Sequence, residues 1–286
     1  MPLPNPENVS IEKIIFIDIE TSPEVNFSNL PQSIQRIWEI RTERNATNLS
    51  PEEFFNNRAP LQPEYSQIIV ISMIRVKRDE KNGQVFSVCL LMGENEKKIL
   101  EKFYCYYLKF TESSEGINFL GGFNIKKFDL PFISKRMAKY DFHNHNRNKP
   151  DNMHGMNNWI FGKNLWFYGM RAFNNIVDVM ELWSMGEWER RASLAEVARV
   201  LNLPDPKEET HGLEVPQIYN EIRTTQDVSK KIQLWRKIGK YAVLDTITAI
   251  RIYSKLTGED LFPKLMDCEV HLPPIQQYNC LLYTSD

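Results

Sequence analysis

An uninterrupted apolar run, Ile-Ile-Phe-Ile at positions 14–17, predicts a buried strand near the start of the chain. The strand continues through Asp18 and Glu20 and is closed by Ser22 and Pro23. Because side chains alternate across a strand, the two carboxylates project from one face and repel each other unless a cation lies between them. The pair indicates a divalent-metal site, although an Asp-x-Glu at a strand end is also typical of a solvated turn.

Two more runs rich in β-branched residues predict a second and a third strand. They cover residues 67–76 and 84–92, and the charged segment between them ends in Asn82-Gly83, a strong signal for a hairpin turn. We expect these two strands to pair antiparallel, next to the first strand.

Apolar residues spaced three or four positions apart predict the helices. Ser50, and Ser193 with Glu196 three residues later, are typical N-caps. Short strands at 117–123 and 175–178 alternate with helices, which indicates a mixed α/β sheet in one domain. The predicted helices cover residues 33–44, 50–58, 94–110, 130–140, 193–201 and 225–256, the last interrupted near Gly239.

Composition narrows the class of protein. The chain has 286 residues, 42% hydrophobic and 12% aromatic, which is enough for a substantial core. No run approaches the ~18 apolar residues of a membrane span and no basic and apolar leader opens the chain, so we expect a cytoplasmic protein. The four cysteines are too widely spaced for a disulfide framework or a thiolate zinc site. The net charge of −2 excludes a uniformly basic duplex-binding surface, but not a nucleic-acid enzyme with an acidic metal site.

Two segments depart from the pattern of strands and helices. Residues 24–64 are irregular apart from two short helices, and we interpret them as an insertion beside the end of the first strand. Residues 280–286 (CLLYTSD) resemble a translated sequencing-adapter scar, with a short terminal strand as the alternative. We therefore assign residues 11–256 to the functional domain and expect the natural C-terminus to be missing.

A further candidate acidic ligand is Asp129, at the start of a predicted helix. The preceding strand ends in Gly121-Gly122, and residues without side chains allow a close approach to another backbone or to a ligand. Asn124 is suited to fixing the turn by hydrogen bonds to its own backbone. The alternative role for Asp129 is a helix N-cap.

Tyr241 and Asp245 are four residues apart on the last predicted helix, so they lie on one of its faces and can converge on one point. The neighbouring residues are mostly apolar, and an aspartate in such surroundings is costly to bury unless it is paired or bound to metal. The alternative is a surface tyrosine beside an unrelated aspartate.

Together the three segments resemble the motifs of the DEDD 3′-to-5′ exonucleases in their tyrosine-containing form, DEDDy. Residues 16–21 (FIDIET) are similar to the first motif, 124–129 (NIKKFD) to the second, and 241–245 (YAVLD) to the third. The resemblance covers roughly residues 11–255. The segment 61–68 (LQPEYSQI) is most similar to predicted exonucleases related to the proofreading domain of family B DNA polymerases.

The resemblance implies a ribonuclease H-like α/β fold, in which helices flank a mixed central sheet whose first three strands are antiparallel. It also implies two divalent cations, Mg²⁺ or Mn²⁺, about 4 Å apart and held by carboxylates. Asp18 would bridge both ions. Glu20 and Asp245 would complete the first site, and Asp129 would hold the second. Tyr241 would orient the attacking water, and the product would be a 5′ mononucleotide.

A groove for a single strand needs cations and stacking surfaces. Most charged residues are simply exposed to solvent and most aromatic residues belong to the core, so any single residue of these types is a weak candidate for substrate binding. Within the motifs, the substrate-binding candidates are Thr21, Asn124, Lys126, Lys127 and Phe128. Outside them are Lys135, Arg136, Lys139, Arg190, Arg191, Trp159, Trp166, Phe167 and Tyr168. Asp178 either lines the groove or forms a turn. His143 and His145 lack a third ligand at zinc spacing, so a polar loop is favoured there.

The intact set of four acids favours an enzyme over a module that only binds, and we expect an exonuclease whose substrate is single-stranded DNA. An RNA-processing exoribonuclease of the same class and a catalytically idle nucleic-acid-binding module remain as alternatives, since nothing in the sequence reports a preference for the 2′-hydroxyl. We expect a monomer that binds nucleic-acid 3′ ends, with a separate polymerase or repair factor as partner in any proofreading role.

Overall fold

The central feature of the fold is a mixed β-sheet. The computed structural model describes residues 9–79, 83–112, 119–140, 142, 176–187, 192–204, 212–258 and 281–282. Within these ranges the strand order is β5-β4-β1-β2-β3-β6. The strands are β1 (Ile14–Pro23), β2 (Ser66–Asp79), β3 (Gly83–Met92), β4 (Phe119–Gly122), β5 (Ile176–Asp178) and β6 (Leu281–Leu282).

The first three strands are antiparallel, because β2 pairs with β1 on one side and with β3 on the other. On the far side of β1 the pairing is parallel, first with β4 and then β4 with β5. Both the mixed α/β sheet and its antiparallel half are therefore confirmed. Residues 80–82, which include most of the predicted hairpin turn, lie outside the described residues.

Helices cover both faces of the sheet. On one face α3 and α4 share a core with the odd-numbered residues of β1, such as Ile15 and Ile17. On the other face α6, α7 and α8 pack against the even-numbered residues Ile14 and Phe16. The helices are α1 (Gln32–Arg44), α2 (Pro51–Arg58), α3 (Glu96–Glu112), α4 (Asp129–Lys139), α5 (Val179–Ser184), α6 (Leu194–Val200), α7 (Val215–Thr224) and α8 (Val228–Thr257).

Two predictions about the C-terminal helices are wrong. The last helix, α8, begins after the N-cap Asp227 and passes without a break through Gly239, which is buried. Packing of that buried face offsets the cost of about 1 kcal/mol for glycine inside a helix. The prediction also missed α7, although its buried residues Val215, Ile218 and Ile222 follow helical spacing.

The double glycine brings β4 close to β1, as expected. A Cβ at Gly122 would lie 2.7 Å from the carbonyl oxygen of Ile17, and one at Gly121 would lie 2.8 Å from Cγ2 of Ile14. A side chain at either position would push the two strands apart. These glycines therefore fix the distance between β1 and the turn that leads into α4.

The insertion at residues 24–64 has a small aromatic core of its own. Trp38 of α1 is fully buried against Phe54 and Phe55 of α2, with ring centroids 5.9 and 5.1 Å apart. The 3₁₀ turn Ala59–Leu61 returns the chain to the sheet, where Ser66 donates a hydrogen bond to the carbonyl oxygen of Ala59 (2.7 Å). The insertion is thus fixed to the sheet beside the end of β1.

The tail contributes the short strand β6, which pairs with β3 at Cys89 and Leu90. A terminal strand was the alternative for this segment, and an adapter origin of residues 280–286 stays a prediction. Among the described helices, none combines the length and apolar character needed to cross a membrane.

Candidate metal centre

The centre lies at the end of β1. Asp18 and Glu20 continue the row of Ile14 and Phe16 and so face the layer that contains α8. The register between β1 and β2 shifts between Glu20 and Thr21. Such an irregularity bends the strand and increases its twist, which re-aims the side chains around it. The end of β1 is therefore shaped locally at the predicted first motif.

Three carboxylates converge there: Asp18 and Glu20 from β1 and Asp245 from α8. Their ligand oxygens all lie within 4.8 Å of one another. Glu20 is buried, with 8% of its surface exposed, and the other two residues are half-buried. The three residues take part in other interactions as well, but among the described residues nothing donates a hydrogen bond to the buried Oδ2 of Asp18 or the buried Oδ1 of Asp245. This all-oxygen donor set fits a hard divalent cation, which would offset the mutual repulsion.

Tyr241 completes this cluster from one turn earlier on α8. It is 5% exposed and its hydroxyl is hydrogen-bonded to the side chain of Asp245. Burial raises the pKa of the phenol well above its usual range, and the negative charges of Asp245, Glu20 and Asp18 raise it further. The hydroxyl therefore stays protonated at neutral pH and acts as a hydrogen-bond donor rather than a base. The alternative of a surface tyrosine beside an unrelated aspartate is wrong.

Asp129 reaches the same strand from the other layer. It is the first residue of α4, where Phe128 is the N-cap, so the capping alternative is wrong. Its Oδ1 accepts a hydrogen bond from the backbone N–H of Ile19 (3.1 Å), beyond the point where β4 stops pairing with β1. This contact places the carboxylate beside β1 next to the residue between Asp18 and Glu20. Asp129 is not in the group of three converging carboxylates.

Burial is the main cause of an unusual pKa at Asp129, which is only 2% exposed. It raises the pKa to about 7, the nearby charge of Asp178 contributes in the same direction, and backbone N–H groups of Asp129 and Ile19 oppose it. A bound cation would favour the charged form and lower the pKa again.

The carboxylate of Asp178 is hydrogen-bonded to the backbone near the site and does not line a groove. Its Oδ1 accepts hydrogen bonds from the N–H groups of Asn124 and Met180 (both 3.0 Å), and Oδ2 accepts one from Lys126 (3.1 Å). The carboxylate thus caps α5 and ties the end of β5 to the turn before Asp129. Of the two roles that the sequence left open for Asp178, the structure supports the turn.

The turn itself depends on Asn124, which adopts the left-handed backbone conformation (φ 60°) that asparagine tolerates. Its carbonyl oxygen accepts hydrogen bonds from the N–H groups of Lys127 and Phe128 (3.1 and 3.0 Å). The side-chain Oδ1 is buried and accepts none. The turn is therefore held by the backbone and by Asp178, and not by the amide side chain as predicted.

Two of the remaining substrate-binding candidates from the motifs have partners within the protein. Thr21 donates its hydroxyl to the carbonyl oxygen of Pro60 (2.6 Å), and Lys126 forms an ion pair with Glu181 (2.6 Å). Lys127 is half-buried and forms no ion pair within the described ranges. These contacts leave Lys127 as the lysine of the second motif that is available to a phosphate.

Phe128 is half-buried beside the turn, and its ring packs against Phe132 with centroids 5.6 Å apart. One part of the ring therefore belongs to the core next to α4. The rest of the ring is accessible near the second motif.

The basic residues of α4 are tied to the insertion. Arg136 is 3% exposed and forms a two-pronged hydrogen-bonded pair with Glu96 (2.8 and 2.6 Å). It also donates to the carbonyl oxygen of Pro63 (2.8 Å) and to Glu24. The prediction that Arg136 contacts substrate is wrong, because the guanidinium is buried and used within the fold. The neighbouring Lys139 and Lys135 pair with Glu24 (2.5 Å) and Glu64 (3.3 Å).

Several candidates lie outside the described residues: His143, His145, Trp159, Trp166, Phe167, Tyr168, Arg190 and Arg191. Gly212 lies against the hydroxyl of Tyr241, a contact that no sequence pattern predicted. A single glycine before a helix has no distinctive sequence signal, so only the fold reveals this contact.

A protein-family model described as the RNase H superfamily matches residues 54–257. The match includes Asp129, Tyr241 and Asp245 but begins after β1, so Asp18 and Glu20 join the site through the fold alone. No curated protein matches the chain. The family indicates a nuclease-type hydrolase, and members of this superfamily generally use divalent metals. Since the match covers most of the chain and the sheet has the topology expected for it, the chain belongs to the RNase H superfamily.

Proposed function

We propose that the protein is a metal-dependent 3′-to-5′ exonuclease of the DEDDy type, which removes 5′ mononucleotides from single-stranded DNA. The observation that carries the proposal is the convergence of Asp18, Glu20 and Asp245 beside the buried hydroxyl of Tyr241. The order of these groups along the chain is that of the DEDDy motifs, which supports the exonuclease subtype.

In this proposal four carboxylates hold two divalent cations, Mg²⁺ or Mn²⁺. Asp18 would contribute to both positions, as the resemblance of residues 16–21 to the first DEDDy motif implies, and it lies with Glu20 and Asp245 in the cluster of three. Glu20 and Asp245 complete one position, and Asp129 supplies the other. When bound, the cations supply Lewis-acid stabilisation of the attacking and the leaving oxygen.

Tyr241 orients the attacking water in this proposal. Its pKa is raised, so the O–H bond is intact at neutral pH and the phenol oxygen can accept a hydrogen bond from water while its proton is shared with Asp245. Because the ring is buried, the oxygen is held in one position. The contribution of Tyr241 is therefore to place the water in line with the scissile bond.

The substrate side of the site supports a single strand. Lys127 supplies a positive charge next to the second motif, and the accessible part of the Phe128 ring provides a surface for a base. Asn124 belongs to the same turn, and within the described part of the chain its buried Oδ1 accepts no hydrogen bond. The insertion forms the neighbouring wall, since Thr21 binds Pro60 directly after Glu20.

We further propose that residues 11–256 form the exonuclease domain and that the protein acts as a monomer on 3′ ends. The relation to family B proofreading domains rests on residues 61–68. In the structure, Pro63 and Glu64 of this segment contact α4 through Arg136 and Lys135. A proofreading role would require a separate polymerase or repair factor.

A side-by-side digestion tests the proposal. DNA and RNA of the same sequence, 5′-labelled and either single-stranded or recessed, are incubated with Mg²⁺, Mn²⁺ or EDTA. We expect a ladder that shortens one nucleotide at a time from the 3′ end, fastest on single-stranded DNA, and no reaction in EDTA. Faster digestion of RNA would favour the exoribonuclease, and binding without cleavage would favour the idle module.

The matched variants are Asp18→Asn, which removes a proposed ligand, and Glu101→Gln, which neutralises an exposed carboxylate on α3 far from the centre. Asp18→Asn should abolish the ladder and retain the circular dichroism spectrum. Glu101→Gln should digest like the wild type. Activity of Asp18→Asn equal to that of the wild type would refute the assignment.

A further inference from the structure

The segment 212–224 runs antiparallel to α8, and its first residue, Gly212, lies beside Tyr241 of the candidate metal centre. Three contacts define this register. They are the ion pair Glu221–Lys230 (2.5 Å), the ring contact Tyr219–Trp235 (centroids 5.8 Å apart) and the ion pair Glu214–Lys237 (3.3 Å). Earlier residues of the segment 212–224 therefore pack against later residues of α8. The next turn of α8 after Lys237 carries Tyr241, so the 3₁₀ turn Gly212–Glu214 comes to lie on that residue.

Gly212 makes the closest approach of this turn to the site. A Cβ built on Gly212 would lie 3.1 Å from Oη of Tyr241 and 3.8 Å from Cζ of the same ring. The first distance is shorter than an ordinary van der Waals contact, and the second is an ordinary one. The backbone of Gly212 therefore lies against the phenol oxygen, and a Cβ at this position would need that oxygen to give way by a few tenths of an ångström.

The hydroxyl of Tyr241 is thus confined from two directions. On one side it is hydrogen-bonded to Asp245, one turn further along its own helix. On the other side lies Gly212, from a separate segment held to α8 by Glu214 and Lys237. A tyrosine ring can swing about its side-chain torsions, and the hydrogen bond alone would permit several positions of the oxygen. The backbone of Gly212 lies against this oxygen and so reduces the space into which it can move.

We propose that Gly212 is a positioning residue, which fixes the hydroxyl of Tyr241 at the metal centre without touching substrate. This inference rests on the proposed exonuclease function, in which Tyr241 places the attacking water. It assigns a role to the turn before α7, which none of the exonuclease motifs includes. A Cβ at position 212 would press on the phenol oxygen and require it to shift by a few tenths of an ångström.

Gly212→Ala is the smallest change that tests this. The new methyl group would shift Oη by a few tenths of an ångström, because the buried ring cannot move away freely. Since misplacement of a reacting group by 1 Å can reduce a rate about 100-fold, we expect kcat to fall about three- to tenfold. KM should stay unchanged, because Tyr241 acts on the water and not on binding of the strand.

A double-mutant cycle separates positioning from a general structural effect. Tyr241→Phe removes the oxygen that the methyl group would press on and leaves only the ordinary 3.8 Å contact with the ring. Gly212→Ala should therefore reduce kcat and lower the thermal midpoint in the wild-type background, and do neither in the Tyr241→Phe background. The control is Gln217→Ala, an exposed position on α7, which should behave like the wild type in both backgrounds.

The outcomes are distinguishable. Equal effects of Gly212→Ala in both backgrounds, or a change in KM with constant kcat, would overturn the positioning role and leave the exonuclease proposal intact. A wild-type protein that digests no nucleic acid under any metal condition would reject the proposed function, and this inference with it. Loss of the effect of Gly212→Ala in the Tyr241→Phe background would establish the role.

Discussion

Neutralising Asp245 should stabilise the metal-free protein while it abolishes catalysis. The ligand oxygens of Asp18, Glu20 and Asp245 lie within 4.8 Å of one another. At an effective dielectric constant of about 20, one such pair of charges repels by roughly 3.5 kcal/mol. Solvent contact of the half-buried Asp18 and Asp245 reduces this. Asp245→Asn removes two repulsive pairs and keeps an oxygen for the Tyr241 hydroxyl, so we expect a gain in unfolding free energy of about 1–2 kcal/mol.

Metal should reverse this order of stability. A cation that binds only the folded state at 100 times its dissociation constant stabilises it by about 2.7 kcal/mol. The wild type should gain this stability from Mn²⁺, whereas Asp245→Asn has lost a proposed ligand and should gain much less. Asp245→Asn is thus expected to be the more stable protein in EDTA and the less stable one in Mn²⁺.

The assay is urea unfolding followed by circular dichroism, in EDTA and over a series of Mn²⁺ concentrations. Glu101→Gln changes the net charge by the same amount at an exposed position and should stay within about 0.5 kcal/mol of the wild type in both conditions. A loss of stability in EDTA on Asp245→Asn would contradict the repulsion argument. Equal stabilisation of both proteins by Mn²⁺ would exclude Asp245 as a ligand.

Other parts of the structure give three more predictions. Burial raises the pKa of Asp129 to about 7, so the metal-free protein should lose a few kcal/mol of stability as the pH rises from 4 to 7. Asp129→Asn should reduce this dependence of stability on pH, as measured by urea unfolding in EDTA. An unchanged dependence on pH would refute the prediction. Lys127→Ala should weaken single-strand binding and reduce the slope of log K against log salt concentration by about 0.7. Lys135→Ala, which removes a lysine paired with Glu64, should change this slope less. Anisotropy titrations with Ca²⁺ replacing Mg²⁺ measure both. Equal slopes would exclude a phosphate contact by Lys127. Arg136→Ala should destabilise the fold by about 3–5 kcal/mol, because it leaves Glu96 buried without its partner. A loss below about 1 kcal/mol in chemical denaturation would contradict that account.

The buried ion pair between Glu96 and Arg136 joins α3 and α4 to the insertion. Glu96 accepts hydrogen bonds from the backbone N–H of Ile68 (2.7 Å) and from the hydroxyl of Tyr140 (2.9 Å) in addition to Arg136. Arg136 in turn holds Pro63 of the insertion. The start of β2, the end of α4 and the insertion therefore share one polar network. A buried pair of this kind fixes relative positions more than it adds stability.

Local periodicity was enough to predict much of the sheet and which side chains of the first and third motifs share a face. β1 was predictable because both of its faces are buried, which gives a continuous apolar run. The shared face of Asp18 and Glu20 follows from the alternation of a strand, and that of Tyr241 and Asp245 from the turn of a helix. Both geometries depend only on neighbours within four residues.

Only the tertiary structure decided how distant segments meet. The hydrogen bond from the N–H of Ile19 to Asp129 joins residues 110 positions apart and places this carboxylate next to the residue between Asp18 and Glu20. The burial of Arg136, the contact of Gly212 with Tyr241 and the unbroken course of α8 through Gly239 have the same origin. In each case packing against another part of the chain overrides the local preference of the residue. The free energy of this packing cannot be recognised from the local sequence pattern.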